Sequence, residues 1–63
     1  MTRDQELWGM ALAVLRDHGE QAPHEVAERI GALALEGQPG GVAMWREVAR
    51  RVDQLMHASG PEM

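Results

Sequence analysis

The side chains able to do chemistry in this 63-residue chain are few: ten carboxylates, three histidines, six arginines, no lysine and no cysteine. His24 and Glu28 stand four residues apart, as do Asp53 and His57, so on a helix each pair would present a nitrogen and an oxygen on one face, a start toward a metal site. Each pair stops at two. A structural ion takes about four protein ligands and a catalytic one about three, so the expected role of both pairs is solvated or helix-end ion pairing, with no metal. His18, directly before Gly19, suits a helix C-terminus, where a partly charged imidazole meets free carbonyls. Nucleophilic catalysis lacks its parts, because the hydroxyl side chains are Thr2, placed to cap a helix, and Ser59, near the C-terminal end. The carboxylates Glu25 and Glu28 would need a shielded cleft to become an acid or a base, and so short a chain offers little shielding. Gly37–Gly41 lacks the lysine and hydroxyl of a phosphate loop. No catalytic, cofactor-binding or metal-ligating residue is therefore expected, and the chain reads as a non-enzyme with no cofactor and no evident small-molecule substrate.

Nucleic-acid binding is the sharper alternative. Arg46, Arg50 and Arg51 fall on the third helical segment, the position a recognition helix would take in a helix-turn-helix-like unit. Three features oppose it. The net charge is −4, Glu47 and Asp53 interrupt the arginines, and the five residues Gly37–Gly41 make a longer linker than the tight turn of that motif.

Three helical segments must carry these side chains. Thr2 and Gln5 have the spacing of a capping box, Asp4 and Glu6 follow in the first turn, and Gly19 supplies a stop, so the first helix is predicted over about residues 3–18. Its apolar side is Leu7, Trp8, Ala11, Val14, Leu15 and His18. Pro23 marks the second start, and Val26, Ala27, Ile30, Gly31, Leu33 and Ala34 form its stripe, with Glu25 placed to pair with Arg29. Gly31, costly inside a helix, reads as a point of close approach by another helix. Gly37–Gly41, with Pro39 inside it, is the strongest loop signal. Beyond it Trp45, Val48, Val52 and Leu55 alternate spacings of three and four, widened by Ala49 and Met56, and Glu47 can reach Arg51.

These elements predict an all-α fold, a small three-helix up-down-up bundle over residues 1–58 with 59–63 as a flexible C-terminal tail, and with Trp8 and Trp45 as the largest core side chains. A chain of this length carries only about 3 to 9 kcal/mol of stability, so a partner or second copy that covers leftover apolar surface is a natural addition. Met10, Leu35 and Met44, at or beyond the edges of the stripes, are the candidate contacts, with Trp45 as an anchor. The longest apolar run, Met10–Leu15, is far short of a membrane span, and polar residues precede it, so a soluble cytoplasmic protein is expected.

The opening Met1-Thr2-Arg3-Asp4-Gln5-Glu6-Leu7-Trp8, the middle Ala22-Pro23 with Ala27-Glu28-Arg29-Ile30-Gly31-Ala32-Leu33-Ala34, and Val42-Ala43-Met44-Trp45 with Val48-Ala49 and Arg51 resemble a family of small uncharacterised proteins of sphingomonads and related alphaproteobacteria. The resemblance covers about residues 1–57 and implies a bacterial cytoplasmic protein, with no activity, cofactor or catalytic residue to carry over. The expectation from the whole sequence is a non-enzymatic helical module that forms a homo-oligomer, such as a dimer, or docks on a protein partner.

Overall fold

The computed structural model describes residues 2–58. Helix α1 spans Arg3–His18, helix α2 Ala22–Leu35 and helix α3 Pro39–Ala58, and no strand occurs among the described residues. The α1 start is a capping box: the Thr2 N–H donates to Gln5 Oε1 at 3.0 Å, and the Gln5 N–H donates to Thr2 Oγ1 at 3.1 Å. Asp4 and Glu6 sit in the first turn, complementing the free N–H groups there.

Gly19 ends α1 as expected, yet it does not open a loop. Its φ of 56° and ψ of −126° lie where a Cβ is poorly tolerated, its N–H still donates to the Leu15 carbonyl, and a single 3₁₀ turn, Gly19–Gln21, leads directly into α2. Residues 3–35 are therefore one bent helical run. The expected loop between the first two helices is replaced by a bend, and Pro23 sits in the first turn of α2, where its missing N–H costs nothing.

The second junction is shorter than the Gly37–Gly41 cluster suggests. The Gly37 N–H donates to the Ala34 carbonyl at 3.1 Å and the Gln38 N–H to the Leu33 carbonyl at 3.0 Å, with Gly37 at φ 72°. That pair of bonds is a Schellman cap, which closes α2 within three residues, Glu36–Gln38. Pro39 then opens α3 instead of sitting inside a loop, and Gly40 and Gly41 form its first turn.

Among the described residues, the buried core takes two from each helix: Leu7 and Ala11 from α1, Ala22 and Val26 from α2, Val48 and Val52 from α3. All are small or medium-sized, which lets the backbones come close. Helix α3 packs on both arms of the bent run, more extensively than those arms pack on each other. Trp8 and Trp45 do not form the centre; both are half-buried at its margin, since a six-residue core of alanine, valine and leucine has no room for an indole. The close approach assigned to Gly31 is also corrected. Gly31 is exposed, and a Cβ built there meets nothing within 4 Å, whereas one at Gly41 would lie 3.2 Å from both Leu33 methyls. The tight glycine contact between helices is thus Gly41 on Leu33.

Two glycine substitutions separate these roles. Gly31→Ala is expected to raise stability by up to about 1 kcal/mol, because it adds helix propensity in open space. Gly19→Ala is expected to lower it by about 1 kcal/mol or more, because it strains the bend. Chemical denaturation of the two variants beside the parent chain checks both signs.

Candidate interaction surface

Polar side chains around the core form several separate groups. The densest centres on Arg51, whose side chain is only 15% exposed. Its Nη2 donates to Asp4 Oδ1 at 2.6 Å, and its Nη1 donates to Glu47 Oε1 at 2.9 Å and to the Glu47 carbonyl at 3.0 Å. Its guanidinium carbon stands 5.5 Å from the Trp8 ring centroid, and its buried Nε meets no hydrogen-bond partner among the described residues. One arginine thereby ties α3 to the first turn of α1 and lids a half-buried indole. Hydrogen bonding from Arg51, reinforced by the positive charge of Arg50, holds the Glu47 carboxyl below the usual glutamate range. Hydrogen bonds to Asp4 and then Glu47 push Arg51 further up, so it stays charged throughout.

A second guanidinium, Arg29 on α2, lies 5.0 Å from the Trp45 ring centroid, so each tryptophan at the core margin is faced by an arginine from another helix. His24 and Glu28 meet at 3.0 Å, and His57 and Asp53 at 3.3 Å, both pairs on exposed surface. Among the described residues, no three His, Cys, Asp or Glu side chains gather where an ion could be held. His18 is exposed in the last turn of α1, and Thr2 is committed to its cap. Ser59 lies outside the described residues, as does the predicted tail 59–63.

The three arginines of the nucleic-acid alternative are not one patch. Arg51 is spent inside the fold. Arg50 is exposed and reaches Glu47 at 3.9 Å, and Arg46, one turn earlier on the same side of α3, is exposed as well. The three-residue linker removes the objection based on loop length, and the burial of Arg51 replaces it with a stronger one.

The candidate protein contacts also separate. Met10, Met44 and Trp45 are half-buried and pack against the core, so they are largely used within the fold. Leu35 is not: it is 91% exposed at the end of α2. Next to it the Schellman turn and the start of α3 form an open groove of about 440 Å³, lined by Ala34, Gly37, Pro39, Val42, Ala43 and Arg46. Among the described residues, Leu12, 55% exposed on α1, is the other large apolar side chain left out. The groove went unread in the sequence because Gly37–Gly41 hid the start of α3. Taking Pro39 as a first helical residue would have put Val42, Ala43 and Arg46 one turn apart on one face.

The fold and this surface define a small all-helical domain with a compact centre and open flanks. The chain belongs to a family of unknown function (DUF6961), which it matches over residues 3–60. Comparison with curated proteins and with solved structures returned no match. Among the described residues, no helix is long and apolar enough to cross a membrane.

The Arg51 node carries a pH signature. A carboxyl whose folded value is depressed adds stability above its unfolded value and loses that contribution as pH falls through the folded one. Glu47→Gln is accordingly expected to melt lower than the parent at pH 7, with the gap closing in acid as the parent carboxyl protonates. A gap that persists in acid would assign the effect to packing instead of charge.

Proposed function

We propose that the protein is a non-enzymatic helical interaction module, bacterial and cytoplasmic, in which the bent run and α3 act together as one three-helix bundle and dock a protein surface on the α2–α3 corner. The observation that carries this reading is the pair of apolar features near the end of α2: Leu35, almost wholly exposed, and an open groove whose lining includes its chain neighbour Ala34. A fully burying contact on a leucine side chain is worth about 1.5 to 3 kcal/mol, and so small a chain has little reason to leave that unclaimed on a well-capped helix end. The absence of an enclosed, water-shielded cleft among the described groups that could do chemistry favours binding over catalysis. Family membership is compatible with this role and assigns none.

A photo-crosslinking amino acid placed at position 35, and separately at the exposed position 54 on α3, tests the reading in native cytoplasm. A discrete protein adduct from 35 and none from 54 is the expected outcome. No adduct from 35 would count against docking at this corner. In a parallel arm, duplex DNA is titrated across a salt series. No measurable binding at moderate salt is expected from a chain of net charge −4, whereas steeply salt-sensitive affinity that Arg46→Ala and Arg50→Ala both reduce would favour the nucleic-acid alternative.

A further inference from the structure

We infer that the groove between the Schellman turn and the start of α3 takes a segment of a partner protein that carries a large apolar side chain with a carboxylate one turn away. This rests on the interaction-module reading and deepens it by giving the partner's chemistry. Ala34, Pro39, Val42 and Ala43 make the apolar part of the recess, which measures about 440 Å³. Because the recess is open, a compact small molecule would keep much of its surface in water. A chain segment can instead set one or two side chains into it and leave its backbone solvated.

Charge selects the occupant. Arg46 is the charged residue among those that line the groove, and among the described residues no carboxylate pairs with it, although Arg50 and Arg51 both meet Glu47 and Arg29 lies over Trp45. The first turn of α3, at the same wall, has no acidic side chain, so the positive end of that helix adds to the same sign. Arg50, also exposed, follows Arg46 by one turn on the same side. The outer side of α3 thus runs from Val42 and Ala43 to two arginines, and an apolar anchor followed by one or two Asp or Glu at helical spacing matches it. The positive strip is short. Asp53, exposed and paired with His57 at 3.3 Å, occupies the next turn, so a phosphate backbone or an anionic bilayer would meet a carboxylate where it needs a cation. The net charge of −4 opposes any acidic partner at long range. Apolar burial therefore has to supply the affinity, and the arginines the choice of partner, at short range and with sensitivity to salt.

The test is selection of a display library of short random peptides on the full chain, followed by fluorescence anisotropy with one enriched peptide. Ala43 and Arg46 are exposed, so substituting them leaves the core intact, and far-ultraviolet circular dichroism checks the fold of each variant. The enriched peptides are expected to pair a large apolar residue with Asp or Glu about one turn away. Arg46→Glu should weaken the chosen peptide by about fivefold or more, since it sets like charges opposite. Replacing the peptide's acidic residue by lysine should restore its binding to the Arg46→Glu chain, a recovery that a merely structural effect would not give. Ala43→Gln, which fills the recess without changing charge, should weaken the peptide as well. The inference is overturned by the absence of enrichment, by enriched peptides with no acidic preference, or by affinity indifferent to Arg46→Glu or to Ala43→Gln. Binding of phosphatidylglycerol vesicles that Arg46→Glu abolishes would overturn it too, by making the site lipid-facing. The crosslink at position 35 reads separately: a protein adduct there, without the acidic selection, leaves the docking reading standing and removes only the chemistry assigned to the partner.

Discussion

Every other feature of this fold depends on one demand: a single helix face, centred on Val48 and Val52 of α3, has to cover two helices at once. It can do so only where those helices come close, and they come close because the residues that meet α3 are small. Ala11 and Ala22 are completely buried, one on each arm of the bent run, with Leu7 and Val26 beside them. Larger side chains at the alanines would push the arms apart and strip cover from the valines. The bend supplies the other half of the geometry. A straight run from Arg3 to Leu35 would reach about 50 Å and could lie along α3 at one end only. The 3₁₀ turn at Gly19–Gln21, opened by a glycine at positive φ, brings the second arm back onto the same face.

A centre this small leaves large side chains at its margin, and the polar architecture follows from that. Two indoles that cannot enter are each covered from another helix by a guanidinium, Arg51 over Trp8 and Arg29 over Trp45. A flat cation can hide the ring while keeping its own hydrogen bonds, as Arg51 does with Asp4 and Glu47. The arginines of α3 therefore divide their labour: one is structural, one leans on a neighbouring carboxylate, and Arg46 faces the groove. The same economy explains why the functional reading concentrates at the α2–α3 corner. Most apolar groups outside the centre are drawn partly into it, while Leu35 is excluded by the cap that ends its helix.

The helical character, the Thr2–Gln5 cap, the Gly19 stop, the Trp45–Val48–Val52–Leu55 seam and the Glu47–Arg51 pair were all legible in the sequence, because each depends on neighbours within a turn or two. What was not legible depends on how elements meet. Glycine 19 ends a helix in the same way whether a loop or a bend follows, so the continuous run to Leu35 was hidden. The Gly37–Gly41 cluster looked like an extended linker because Pro39 can equally sit in a loop or start a helix, and the Schellman bonds that decide it reach back to Leu33 and Ala34. Gly31 was misread for a related reason: a helix-interior glycine marks close approach only if a partner lies opposite, and here that partner faces Gly41. Of the four candidate contacts, Leu35 alone remains fully available, since the stripes place Met10, Met44 and Trp45 near an edge without revealing that the core would draw them in.

Native-state hydrogen exchange tests most directly whether one seam on α3 holds both arms. The slowest amides near Ala11, Val26 and Val52 should share one opening free energy, and Val52→Ala, a loss of about 2 kcal/mol from the transfer and cavity terms together, should lower all three equally. If the α1 amides kept their protection while those of α2 and α3 lost theirs, the arms would be held independently and the account of the fold would be wrong.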